Sequence, residues 1–262
     1  MRMLPGLVQR RADKLWQVDA IRAKYIAEMT FLVGKTERAG EIEELAKGMC
    51  YQEVLRQHLR YHPRYVTRQP VEGVEQLTTG RDVSRPVILS FMHHARYDGM
   101  WGSIARHGVK MKMLALPDLL DPNAAKFIRQ HIAVARRGGE VISIAGGSEA
   151  IIAELGPGVV MGIGLDVPSR TPVTFMGRKV RGSSGTPRIA MKTDAIIHVV
   201  TSRRNDDGSS TVVIGPPLDP RDYATAEEML DVMLDEHSAA MLAWPEAAES
   251  PAANWGHLDD ED

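Results

Sequence analysis

The sequence predicts an α/β fold: a central, mostly parallel sheet flanked by helices, with an N-terminal helical segment. Two observations predict it. Apolar runs of strand length (Val87–Met92, Lys110–Leu116, Glu140–Ala145, Val159–Leu165) alternate with helical periodicities. Parallel strands need such crossovers, and each crossover usually carries a helix. A turn signal, Asn205-Asp206-Asp207-Gly208, joins Ile196–Arg203 to Ser210–Ile214 and adds an antiparallel edge.

The elements follow in order. Pro5 to Val33 reads as one amphipathic helix, with Leu15, Val18, Tyr25, Met29 and Leu32 on a stripe and Arg10, Arg11, Lys14, Arg22 and Lys24 around it. Glu41–Leu59 is a second helix, and the basic run from Arg56 to Arg68 closes this part. Val71–Pro86 is a connector with a short strand. Helices are expected at Tyr97–Arg106, Asn123–Arg137, Ser148–Leu155, Gly185–Thr193 and Ala224–Trp244. Three units result: an N-terminal helical segment (1–70), an α/β core (71–245) and a mobile acidic tail (246–262).

Composition narrows the classes. The 262 residues can bury a full core. The single cysteine, Cys50, excludes an internal disulfide and a multi-cysteine metal site, which fits a reducing cytoplasm. No run approaches the 18 or so apolar residues of a membrane span, so a soluble or peripheral chain is expected. The formal net charge of −2 hides an uneven layout. Residues 1–70 carry 13 basic against 8 acidic side chains, residues 71–218 carry 18 against 13, and residues 219–262 carry 1 against 13. A basic body favours an anionic surface or co-substrate. No nucleic-acid module spacing is present, and no nucleic-acid partner is expected.

The strongest candidate site lies where the first long strand ends. In Ser90-Phe91-Met92-His93-His94-Ala95-Arg96-Tyr97-Asp98, a histidine closes the strand and an aspartate opens the next helix. Ligands of parallel sheets gather at the carboxyl ends of strands. His93 there is placed to act as a general base, with Asp98 to orient it and stabilise its protonated form. Asp98 also suits a helix N-cap. Asp166 repeats the position of His93 at the end of a later strand. Arg136 and Arg137 close a helix, where cations offset its dipole; one of them facing the site would stabilise a developing oxyanion. Gly146-Gly147-Ser148-Glu149-Ala150 comes near a nucleophile elbow. A hydrolase triad of Ser148, Asp166 and His198 has a suitable chain order, although Ala150 stands where the pattern wants glycine.

Three segments taken together, Ser90–Asp98, Gly138–Asp166 and Thr174–Val200 (TFMGRKVRGSSGTPRIAMKTDAIIHVV), resemble the lysophospholipid acyltransferase superfamily. They are most similar to the bacterial branch of lipid A lauroyl/myristoyl and phosphatidylinositol mannoside acyltransferases. The resemblance implies transfer of a fatty acyl chain from acyl-CoA or acyl carrier protein to a hydroxyl of a lipid or glycolipid. It implies a protein peripheral on the inner face of the cell membrane, with His93 as base, Asp98 as its partner, and no bound cofactor or metal. Arg96, Arg136, Arg137 and Asp166 are then the expected substrate-binding residues. This chain departs from the family pattern at Val167 and at Thr171-Pro172-Val173-Thr174. A second reading follows from those departures: a homologue that binds lipid without turnover.

Overall fold

A computed structural model describes residues 4–167 and 169–257. Helices α1 (Leu4–Trp16), α2 (Asp19–Val33), α3 (Ile42–Leu59) and α4 (Pro63–Val66) come first. Next are strand β1 (Val71–Glu72), α5 (Glu75–Thr78), β2 (Val87–Phe91), α6 (Tyr97–Ala105), β3 (Met111–Ala115), α7 (Lys126–Ala135), β4 (Gly139–Ser143), α8 (Gly147–Glu154) and β5 (Val160–Gly164). After them come β6 (Thr171–Phe175), β7 (Arg178–Gly182), α9 (Gly185–Thr193), β8 (Ile196–Arg204), β9 (Ser210–Leu218), α10 (Ala226–Ala243), α11 (Pro251–Asn254) and β10 (Gly256–His257).

Seven strands form the main sheet in the order β1-β9-β8-β2-β5-β3-β4. Strands β2, β3, β4, β5 and β8 run parallel, and β9 returns antiparallel beside β8. The predicted α/β class and the antiparallel return therefore hold. Every residue of β2 is buried, as expected for a central strand covered on both faces. Its alternate side chains feed two cores. Ile88 and Met92 join Met161, Leu165 and Ile197 under α1–α3, α9 and α10. Val87, Leu89 and Phe91 join Met111, Met113 and the α6 side chains Met100, Trp101 and Ile104. Trp101 lies so close to β5 that a Cβ at Gly162 would sit 2.7 Å from its Cη2. Among the described residues, no helix is long and apolar enough to cross a membrane.

Three expectations need correction. The first helix is two. Gln17 and Val18 break it, and Val18 takes an extended conformation that redirects the chain before Asp19. The segment around Phe175-Met176-Gly177 is a hairpin that periodicity missed. Strands β6 and β7 pair antiparallel, and both turn residues have positive φ (Met176 51°, Gly177 73°), the geometry of a two-residue primed turn. The segment from 246 is no mobile tail as far as His257. Strand β10 pairs with β7, and Trp255 stacks on Phe175 with ring centroids 4.5 Å apart. Its charge suggested solvent, but Ala247, Ala248 and Trp255 are buried. Residues 258–262 lie outside the described residues.

Trp255 is the anchor of this C-terminal segment. Trp255→Ala is expected to cost about 3–5 kcal/mol, the usual range for deleting a buried large aromatic. A urea midpoint that matches the wild type would refute this anchoring.

Candidate active site

The parallel pairing of β2 with β5 builds the site. Phe91 lies opposite Gly164, and the ladder continues with the Leu165 amide donating to the Phe91 carbonyl at 2.8 Å. Two residues beyond each strand stand His93 and Asp166, so the register brings them together. Asp166 Oδ1 lies 2.8 Å from His93 Nδ1, and Asp166 Oδ2 accepts from the His93 amide at 2.8 Å. The side chain of Asn254, on α11, donates to the same Oδ2 at 3.3 Å. A carboxylate cannot donate, so Nδ1 carries the proton and neutral His93 keeps its lone pair on Nε2.

His93 remains partly open, with 27% of its side chain exposed, whereas the Asp166 side chain is 2% exposed. Tyr97 packs its ring edge-on against the imidazole, centroids 4.7 Å apart. Burial disfavours the His93 imidazolium, but the charge and hydrogen bond of Asp166, aided by Glu249, outweigh it and raise the His93 pKa above its usual 6.5. This arrangement suits a base that must hold a proton briefly.

Asp98 is not the partner of His93. Its carboxylate, 2% exposed at the start of α6, accepts from Arg60 Nε at 2.8 Å and lies 3.5 Å from His131 Nδ1. It joins α6 to α3 and α7. Burial alone would raise its pKa, but the His131 hydrogen bond and the Arg60 charge hold it well below the usual carboxylate range. Arg60 also pairs with Glu249 at 3.4 Å, and buried Arg56 reaches Glu249 at 3.2 Å. Burial pushes the Glu249 carboxyl up, and Arg56 and Arg60 pull it down to about 2. The Glu249 amide donates to the His93 carbonyl at 2.8 Å. Glu249, Asn254, Arg60 and His131 therefore support the site without a sequence signal of their own. Glu249 and Arg60 also line a cavity of about 380 Å³ with Arg11, Gln57, Tyr61 and Phe127.

The other expected residues sit elsewhere. Arg136 and Arg137 line a cavity with Met111, Gly139 and Val160, the first residues of β3, β4 and β5. They are therefore at the opposite end of the sheet from His93, and helix-end placement explains them. Arg96 turns away from His93 toward the β8–β9 hairpin, donating to the Gly208 carbonyl at 3.2 Å. The hydrolase triad is not assembled. Asp166 is held by His93, His198 is buried with Nδ1 2.9 Å from the Gly215 carbonyl, and Ser148 is exposed on α8. Among the described residues, no cluster of three His, Cys, Asp or Glu side chains could hold a metal ion.

No family model matches the chain, and no curated protein matches it. Among solved structures it is similar to the 1-acyl-sn-glycerophosphate (LPA) acyltransferase PlsC from Thermotoga maritima. That likeness covers 94% of this chain and 98% of the other, at 14% identity and a TM-score of 0.43.

Two further histidines beside the site make the fold sensitive to acid. His94 Nε2 is 2.9 Å from the Trp244 carbonyl, and His237 Nε2 is 3.3 Å from Ser90 Oγ. Burial lowers His94 from 6.5 to about 4, and burial with the charge of His94 lowers His237 to about 3. The unfolded chain protonates these residues first, so stability falls as pH drops from 6.5 toward about 4. His93 acts in the opposite sense: its contribution is full below 6.5 and fades as pH rises through its folded value. Below 6.5 His93 adds no slope, so His94 and His237 together give up to roughly 2.7 kcal/mol per pH unit. The urea midpoint should fall between about pH 6.5 and about pH 4.5 in the wild type and fall less in His237→Leu. Equal slopes in the two proteins would show that His237 is not a buried neutral group.

Proposed function

We propose that this protein is an acyltransferase. It moves a fatty acyl chain from an acyl-CoA or acyl carrier protein thioester to a hydroxyl of a lipid or glycolipid, working as a peripheral protein on the inner face of the cell membrane. The observation that carries this reading is the pair formed by partly open His93 and buried Asp166 at the carboxyl ends of adjacent parallel strands. The donor and acceptor classes rest on the resemblance of the three sequence segments. Membrane contact is supported by α1, which exposes Leu7, Arg10, Arg11 and Lys14 on one side and buries Val8, Ala12 and Trp16 on the other.

The chemistry needs little more than a base. A hydroxyl is a weak nucleophile at neutral pH, and a thioester is already activated. His93 Nε2 takes the proton as the acceptor oxygen attacks the thioester carbonyl. Asp166 steadies the resulting imidazolium and fixes the tautomer. The tetrahedral adduct then collapses, the C–S bond breaks, and the thiolate takes the proton back from His93. Atoms and charge balance without a further reactant.

The test is transfer from radiolabelled palmitoyl-CoA, and then from acyl carrier protein, into total lipid extract. His93→Ala should abolish the labelled product. Asp166→Asn should lower kcat by about 10²–10⁴-fold. The ascending limb of the pH–rate profile should lie above 6.5 in the wild type, because His93 must be neutral to act, and move to lower pH in Asp166→Asn. Asp98→Asn should act mainly on stability, by roughly 3 kcal/mol, since it leaves buried Arg60 short of one partner. A folded Asp98→Asn protein that loses transfer while Asp166→Asn keeps it would restore Asp98 as the partner. Transfer that survives His93→Ala would refute the base. Vesicle binding without any product from either donor would favour the binding-only reading.

A further inference from the structure

The loop that carries His93 has a second face, and that face is basic. Arg96 lies between His93 and Asp98, yet its side chain points into a separate cleft of about 530 Å³. The cleft lies between the Arg64–Pro70 turn and the tip of the β8–β9 hairpin. Arg64, Arg68, Arg96 and Gln69 line it from one side, and Asp207 and Ser209 from the other. We propose that this cleft binds a phosphate monoester through the guanidinium groups of Arg64, Arg68 and Arg96.

Three observations support the assignment. First, Arg96 is only 9% exposed, and its guanidinium lies 5.6 Å over the Tyr65 ring. Among the described residues it makes one hydrogen bond, from Nη2 to the Gly208 carbonyl. Its remaining N–H groups are not among the fully buried unpaired atoms, so they stay open toward the cleft. Second, Arg64 and Arg68 are exposed, and neither has an ion-pair partner among the described residues. Third, among the described residues the one carboxylate lining the cleft, Asp207, accepts from the Ser209 amide at 2.8 Å and meets Arg96 only through its charge. Three cations against one anion leave an excess of two charges, which a phosphate dianion neutralises. The guanidinium fork also matches phosphate oxygens in geometry.

The cleft is tied to the catalytic loop. Gln69 lines it, donates to the Arg96 carbonyl at 3.1 Å, and accepts from the Ser210 hydroxyl at 2.6 Å. A ligand held by Arg96 therefore braces the backbone three residues after His93. The assignment does not depend on acyl transfer, because binding is read directly.

The ligand phosphate has two sources, a soluble phosphate compound or a lipid headgroup, and the experiment separates them. Binding of inorganic phosphate is measured by calorimetry at physiological salt, where exposed charges are screened. Binding to phosphatidylcholine vesicles, with and without phosphatidic acid, is measured by sedimentation. The surface double variant Arg64→Gln/Arg68→Gln tests the cleft with little risk to folding. Arg136→Gln/Arg137→Gln removes the same charge at the other end of the sheet. The double variant at the cleft should weaken binding about tenfold or more, and the control should match the wild type. Weakening seen with inorganic phosphate assigns a soluble ligand, and weakening seen only with phosphatidic acid vesicles assigns a headgroup. Equal loss in the control, no loss in the cleft variant, or no binding of either probe would overturn the proposal.

Discussion

The register between β2 and β5 is the constraint on which the site depends. Parallel pairing of Phe91 with Gly164 fixes where each strand runs out, so two residues later the chain must place His93 beside Asp166. A shift of one residue would turn every side chain of β2 to the other face. It would move Ile88 and Leu89 into the wrong cores as well as separate the pair. The same packing that stabilises the sheet therefore sets the geometry of the base. The second hydrogen bond of Asp166, to the His93 amide, ties the carboxylate to the backbone as well as to the ring.

Around that pair the protein buries several charges, which is costly unless each is matched. Asp98, Arg60, Glu249 and Arg56 match one another across α6, α3 and the segment after α10. Replacing such a cluster by apolar residues can be neutral for stability, so strength alone does not explain it. Its geometry does more. Arg60 and Arg56 hold Glu249, and Glu249 and Ala248 pair with the backbone at His93 and His94. Asn254, a few residues on, reaches Asp166. The C-terminal segment thus closes over the end of the sheet and steadies both members of the pair.

Much of this was legible in the sequence, and the failures have physical causes. Alternating apolar runs gave the sheet and its crossovers, and His93 stood out because it ends a buried strand. Asp166 was visible as a second residue of that kind. Its partnership with His93 was not, because sequence spacing favours the near carboxylate and register is a property of two distant strands. Asp98 looked catalytic because it comes five positions after His93, at the start of the next helix. Nothing local revealed that Arg60, 38 residues earlier, takes its charge. The 246–257 segment looked mobile because its acidic residues outweighed Trp255, while burial is decided by where Phe175 lies. Arg136 and Arg137 were misplaced because helix α7 runs from the carboxyl end of β3 back to the start of β4, and charge alone gives no direction.

The layout of basic residues follows from the same topology. In a sheet of crossover units, helix C-termini gather at the end where the parallel strands begin, and loops that leave the strands gather at the other. Arg136 and Arg137 belong to the first set, where the α7 dipole is reason enough for a cation. Arg96 belongs to the second, in a loop that leaves a strand, where no helix C-terminus calls for a positive charge. It is also largely buried, and its one hydrogen bond goes to a carbonyl rather than a carboxylate. The carboxylate that acts on it is exposed Asp207, which meets it through charge and not through a hydrogen bond, so the cleft keeps a net positive charge. Arg96 and His93 point to different sides of one loop, so the cleft and the base are joined through the backbone they share, which Gln69 holds at the Arg96 carbonyl.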